Sequence, residues 1–195
     1  MTLPLGMAGQ PLEGDSHRPT SDRFGGLKVV GGKALQKGWI QEMKKRYYIA
    51  YGSNLNIRQM MMRCPDARVA GTSVIEDYQL LFKGSKTGSY LTIEPKAGSS
   101  VPVAVWSVSE MDELALDRYE GYPSFYYKKQ LQIPITGIRT GKVRVRKAFV
   151  YIMHEERPLG LPSMRYLETC AQGYRSFGFN QEKLRQAYAD SQREV

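Results

Sequence analysis

The strongest constraint on this chain is the crowding of extended segments between Arg46 and Met153, separated by little more than turn residues. Arg46-Tyr-Tyr-Ile-Ala-Tyr51 has the aromatic and β-branched content of a buried strand. Further strands are expected at Arg68–Val74, Tyr78–Lys83, Tyr90–Ile93 and Val101–Val108, bounded by Gly, Pro and Ser clusters. Tyr126–Ile133 and Val143–Met153 are long and read as a pair. Helices interrupt this run only twice. Asn56–Arg63 reads as a short helix, with Gln59 three residues after Asn56 as in a capping box and Cys64-Pro65-Asp66 ending it. Ser109-Glu-Met-Asp112 is a second capping box, opening a helix from about Glu110 to Tyr119 that Gly121 and Pro123 stop. Beyond the last strand, Ser163 caps one helical segment and Asn180 another, which runs to about Ser191. Strands outnumber helices and join by short turns. The expected fold is therefore α+β, a mainly antiparallel, barrel-like sheet with peripheral helices packed outside it.

Residues 1–42 read differently. They are rich in Gly, Pro, Ser and Asp and show no sustained period, apart from a short strand candidate at Leu27–Val30. They are expected to form a flexible N-terminal extension, with Met43 a candidate start and residues 43–195 the folded domain. No apolar run approaches the roughly 20 residues needed to span a bilayer, so no membrane partner is expected. Two cysteines, Cys64 and Cys170, are too few for a disulfide framework, which suits a reducing cytoplasm. The formal charge is +9 over 195 residues. The densest basic stretches are Lys44-Lys45-Arg46 and Lys142-Val-Arg-Val-Arg-Lys147, and in the second, alternation with Val is expected to place the basic residues on the solvent face of a strand. A solvated face explains the charge without a nucleic-acid partner, and no RNA-binding motif accompanies it.

Several chemical signals fail on inspection. Gly84-Ser-Lys86-Thr87 and Gly31-Gly-Lys-Ala34 each lack anchors of a phosphate-binding loop. The histidines are His17 and His154, and with the two cysteines far apart no metal-ligand spacing exists, so no metal or other cofactor is expected. A Cys64 or Cys170 nucleophile would have to pair with His154, whereas a buried free cysteine is commonly packing. Ser53 lacks the second glycine of a nucleophile elbow. Met60-Met61-Met62 reads as core filling.

Two segments remain. In Ile49-Ala-Tyr-Gly-Ser-Asn-Leu55 a buried strand breaks into a loop leading to a helix, where Gly52 permits close approach and the following N–H groups point outward. In Leu116-Asp-Arg-Tyr-Glu-Gly-Tyr-Pro-Ser-Phe-Tyr126, Glu120 ends a helix among aromatic residues. Such surroundings, and the negative end of the helix dipole, disfavour the ionised carboxylate and suit a general acid/base near neutral pH.

Tyr-Gly-Ser-Asn-Leu after an N-terminal strand, followed some 65 residues later by Leu-Asp-x-x-Glu-Gly, resembles the gamma-glutamylcyclotransferases of the AIG2-like group. The resemblance covers about Arg46 to Met153. It implies a small mixed barrel with one pocket for a gamma-glutamyl small molecule, Glu120 as the catalytic acid/base and release of 5-oxoproline. It also implies that Gly52 to Leu55 hold the glutamyl part through backbone N–H groups. Tyr51, Tyr126 and Tyr151 are expected around the pocket, with the hydroxyls of Tyr126 and Tyr151 orienting the substrate. Glu120-Gly-Tyr-Pro-Ser-Phe-Tyr126 is close to the subgroup acting on gamma-glutamylamines, whereas the glutathione- or dipeptide-directed branch has a different segment after Glu-Gly. The rival expectation is a non-catalytic module holding a similar ligand in the same pocket.

Overall fold

The computed structural model describes residues 45–85 and 88–193. The expected extension over residues 1–42 lies outside these, as do Lys86 and Thr87. Among the described residues the elements run β1 (Arg46–Ala50), a 3₁₀ turn (Ser53–Leu55), α1 (Ile57–Arg63), β2 (Arg68–Ser85) and β3 (Gly88–Val108). They continue with α2 (Glu110–Glu120), β4 (Tyr126–Thr136), β5 (Val143–Met153), α3 (Met164–Ser176) and α4 (Glu182–Arg193). The strands close into a barrel in the order β1-β3-β2-β4-β5. Every pairing is antiparallel except β1 with β5. The α+β, mixed and mainly antiparallel barrel read from the sequence is the fold observed.

The predicted caps form. Asn56 Oδ1 accepts from the Gln59 N–H at 3.2 Å. Ser109 and Asp112 complete a reciprocal capping box, and Ser163 Oγ accepts from Tyr166 N–H. Gly121 ends α2 with φ 65°, a left-handed conformation that glycine adopts without strain.

Four of the predicted short strands are in fact two long ones. What reads as turn signals at Glu76-Asp77 and Pro95–Ser99 are irregularities within one continuous β2–β3 ladder, whose register passes from Glu76↔Ser100 to Tyr78↔Pro95. Asp77 takes φ 58° and its Oδ1 accepts from Gly98 N–H at 2.9 Å, which ties the two bulged segments together. Bulges add the bending and twist that let so few strands close on themselves. Ile49, Phe82, Ile93, Val103, Trp106, Val150 and Ile152 are buried in the core. Each such side chain withdrawn from water stabilises the fold by about 1.5–3 kcal/mol.

Two other expectations change. Arg144 and Arg146 pair with Ile135 and Ile133, so they share the sheet face of those buried side chains, while Val143 and Val145 stand exposed on the other. At this end of the barrel the two isoleucines are covered by long basic side chains rather than by the valines. Of the three consecutive methionines, Met60 is buried in the core, whereas Met61 and Met62 are exposed, because a helix turns only part of its circumference inward.

Barrel closure rests on one close approach. β2 meets β4 at Thr72↔Thr136, and a Cβ on neighbouring Gly71 would stand 2.3 Å from the Thr136 carbonyl oxygen. Gly71→Ala should therefore cost about 1–3 kcal/mol of stability by forcing the strands apart. Thermal melting checks this, and an unchanged melting temperature would contradict it.

Candidate active site

The two segments singled out in the sequence meet at the end of β1. Ile49 and Ala50 are locked into the barrel by β3, so the chain leaves the sheet at Tyr51 and turns at once into the 3₁₀ segment. Gly52 sits where a Cβ would lie 3.3 Å from the Tyr166 hydroxyl and 3.4 Å from Leu91 Cβ, so the tight fit of α3 and β3 accounts for glycine here. Gly173 allows α3 to lie on this turn, since a Cβ there would come within 2.5 Å of Leu55 Cβ.

A pocket of about 20 Å³ is lined by Tyr48, Tyr51, Gly52, Ser53, Asn54, Leu91, Glu120, Tyr126, Tyr151 and Tyr166. All the predicted site residues except Leu55 therefore surround one cavity. Leu55 is fully buried in the core, and its N–H is spent on the Gly52 carbonyl at 2.9 Å. It offers no donor to a ligand, contrary to expectation. The N–H groups of Ser53 and Asn54 open the turn and have no partner within it. Larger depressions of about 240, 560 and 620 Å³ lie elsewhere on the surface. Size does not choose the site, because none of these holds a carboxyl enclosed by tyrosine hydroxyls and amide donors.

Glu120 is the last residue of α2, and its carboxyl is directed into the pocket although part of the residue reaches the surface. Asn54 Nδ2 donates to its Oε1 at 2.8 Å, and the Tyr48 hydroxyl, which accepts from the same Nδ2 at 2.8 Å, lines the pocket beside it. Withdrawal from water pushes the carboxyl up to about 7. The charge of Arg63 and the bonds from Asn54 and Tyr48 pull in the opposite direction without prevailing. The aromatic surroundings differ from those expected. Of the aromatic residues near it in sequence, Tyr126 lines the pocket as expected, whereas Tyr119 and Tyr122 are partly exposed, and Tyr48, Tyr51, Tyr151 and Tyr166 complete the enclosure.

The tyrosine hydroxyls are mostly committed. Tyr51 donates to the Tyr151 carbonyl at 2.6 Å and Tyr126 to the Leu91 carbonyl at 2.8 Å. Tyr151 donates to Asp117 Oδ1 at 2.6 Å, beside the Lys128–Asp117 ion pair. Tyr126 and Tyr151 thus wall the pocket, but their protons already have acceptors in the protein. Burial raises the titration of all of these phenols, so they stay neutral around the carboxyl.

Four residues at the site were not read from the sequence as its members: Tyr48, Arg63, Leu91 and Tyr166. A tyrosine in a buried strand needs a hydroxyl partner, and that signal was available for Tyr48. Nothing local marks Arg63 or Tyr166, which reach the site through tertiary packing. Cys64 and Cys170 are buried and their thiols are pushed up to about 12, as packing residues would be. His154 Nε2 lies 2.8 Å from the Pro123 carbonyl, while the Cys64 thiol donates to the Asp112 carbonyl at 3.6 Å. Among the described residues no group of His, Cys, Asp and Glu could hold a metal ion, and no helix is long and apolar enough to cross a membrane.

The raised carboxyl has a consequence for stability. Glu120 titrates near 7 when folded against an ordinary 4.5, so the folded protein holds the extra proton between these values. The associated stability is present below pH 4.5 and is lost as pH rises through 7. Glu120→Gln, which cannot ionise, should melt at a higher temperature than the parent at pH 8, with the gap closing toward pH 4. A gap independent of pH would contradict the assignment.

Comparison with known proteins agrees with this geometry. A family model described as "Gamma-glutamyl cyclotransferase, AIG2-like" matches residues 48–168. The chain is 28% identical over 149 residues to a gamma-glutamylcyclotransferase of Mus musculus, covering 73% of this chain and 77% of the relative. It is 28% identical over 148 residues to that of Homo sapiens, covering 71% and 76%. A solved structure of a gamma-glutamyl cyclotransferase superposes with a TM-score of 0.63 at 23% identity, covering 75% of this chain and 88% of the other, and so shares the fold. The matched region includes both the Tyr51–Leu55 turn and Glu120, and the chain belongs to the AIG2-like gamma-glutamyl cyclotransferase family.

Proposed function

We propose that the protein is a gamma-glutamylcyclotransferase-type enzyme that cleaves a gamma-glutamyl amide into 5-oxoproline and a free amine, with Glu120 carrying the proton. The observation that supports this best is a single carboxyl, poised near neutrality at about 7, in the pocket that the family's turn helps to build. The reaction needs no other reactive group. The substrate supplies its own nucleophile, an α-amino group tethered to the γ-carbonyl carbon that it attacks. Ring closure within one bound molecule draws on effective molarities of about 10⁵ M or more.

Glu120 as carboxylate takes a proton from the α-ammonium, freeing the amine lone pair. Attack forms the new C–N bond of the lactam and gives a tetrahedral intermediate. Glu120, now the acid, gives that proton to the departing nitrogen as the old C–N bond breaks and the oxyanion returns to a carbonyl. The carboxylate so regenerated takes the second proton from the new ring nitrogen and releases it to solvent or to the freed amine. Its titration near 7 lets one group serve both steps, since neither form is costly to reach. The outward N–H groups of Ser53 and Asn54 are the donors available for the glutamyl carboxylate or the developing oxyanion. A space of about 20 Å³ holds a single water-sized group. Substrate binding therefore requires a lining side chain to shift, and Tyr166, which lies over Gly52 and accepts from the Leu91 N–H at 3.1 Å, is the side chain that covers the turn.

Purified protein incubated with gamma-glutamyl amines, gamma-glutamyl dipeptides and glutathione should release 5-oxoproline from at least one of them. The proline-containing segment after Glu120-Gly121 favours the gamma-glutamylamines. Glu120→Gln should lower kcat by about 10²–10⁴-fold while leaving the protein folded. For the parent, kcat/KM should rise with pH up to about 7, because the free enzyme must present the carboxylate. Near-wild-type turnover in Glu120→Gln would defeat the assignment. Ligand binding without any product would point to a binding module instead.

A further inference from the structure

The side chain of Asn54 is the hub of the pocket. Its Nδ2 donates to Glu120 Oε1 at 2.8 Å and to the Tyr48 hydroxyl oxygen at 2.8 Å, while its Oδ1 accepts from Arg63 Nη1. The two ends of a carboxamide have nearly the same shape, so only its hydrogen-bond partners decide which way round it sits. Arg63 decides it. A guanidinium has five donors and no acceptor, so only the amide oxygen can face it. The amino end is then turned toward Glu120 and Tyr48. Because the Tyr48 oxygen already accepts from Asn54, its own O–H proton is left for the Glu120 carboxyl. Two neutral donors thus converge on one carboxylate.

Arg63 is itself held in place. It is the last residue of α1, and its guanidinium carbon stands 3.3 Å above the centre of the Tyr119 ring, one residue before Glu120. Planar stacking of this kind is something a lysine ammonium does not reproduce. The groups facing Glu120 are Tyr48 from β1, Tyr51 and Asn54 from the turn that follows it, Tyr126 from β4, Tyr151 from β5 and Tyr166 from α3. Arg63 and Cys64 face it from the end of α1. Arg63 is the cation in that set, and burial keeps the phenols and the thiol neutral.

We propose that Arg63 is the positioning residue of this site: by locking the orientation of the Asn54 amide it presents the ionised Glu120 with its donors, and so sets the pH at which the carboxylate becomes available. The proposal rests on the reading of Glu120 as the proton carrier. It gives Asn54 a second task besides its backbone N–H, that of holding the catalytic carboxyl.

The test is the titration of the Glu120 carboxyl followed by carbon-13 NMR in substrate-free protein, beside the pH profile of kcat/KM. Arg63→Gln keeps a donor for Asn54 but removes the charge and can present its own acceptor. It should move the carboxyl titration and the acid limb of kcat/KM upward together, by about one pH unit. Arg63→Lys, which restores charge and a donor without the stacked plane, should recover most of that displacement. A residue important only for folding would lower kcat at every pH and leave the limb where it was, and that result would overturn the proposal. In the unaltered protein the Asn54 side-chain NH₂ signals should titrate with Glu120, which keeps the test open should a variant fail to fold. Signals indifferent to that titration would overturn the proposal too. An unaltered protein with no acid limb, but with the expected NMR titration, would refute Glu120 as proton carrier while leaving the Arg63 geometry standing.

Discussion

Everything about this site depends on one carboxyl being taken out of water without being given a full counter-charge at contact distance. Glu120 is placed there by the end of α2, where Gly121 turns the chain away in a left-handed conformation. Desolvation raises its titration to about 7, and the bonds from Asn54 and Tyr48, with the charge of Arg63, keep it from rising further. A direct ion pair would have fixed the carboxylate permanently. An entirely apolar pocket would have kept it protonated. The observed mixture leaves both forms within reach at neutral pH, which is what a group that first takes and then returns a proton requires.

The barrel supplies the rigidity that this balance needs. β1 is pinned between β3 and β5, so the turn after it has a fixed origin. α3 lies on the same turn through Gly173 and Leu55, and α2 is tied to the sheet by Lys128, which pairs with both Glu113 and Asp117. Asp117 in turn holds the hydroxyl of Tyr151. The pocket walls are therefore fastened to the elements that carry the carboxyl, and most of the tyrosine hydroxyls are anchors of the wall rather than hands for the substrate. The cost of enclosing an ionisable group so tightly is borne by a core that extends from the barrel strands to the buried faces of α3 and α4.

Much of this was legible in the sequence, and the exceptions are instructive. Caps and stops are local chemistry, so Asn56, Ser109, Gly121 and Ser163 announced their helices correctly. β4 and β5 are long and follow one another in the chain, and they pair as read. The long β2–β3 ladder was misread as four strands, because a bulge and a turn use the same residues, and only the partner strand distinguishes them. The alternating Lys142–Lys147 segment misled for a related reason: periodicity shows that two faces exist but not which one meets the barrel interior. At the site, Tyr51, Gly52, Ser53, Asn54, Glu120, Tyr126 and Tyr151 converge as expected. Leu55 does not, since the 3₁₀ turn spends its N–H and buries its side chain. Arg63 and Tyr166 owe their places to helices docking across the chain, a relation that no spacing along the sequence records.

The most direct test of the account is a crystal structure of the protein with 5-oxoproline, the product expected of the reaction. The lactam ring is expected in the Tyr51–Asn54 turn pocket, with Tyr166 displaced and the Glu120 carboxyl within hydrogen-bond distance of the ring nitrogen. A product seated in one of the larger surface depressions, or in the pocket with Glu120 turned away from it, would contradict the account.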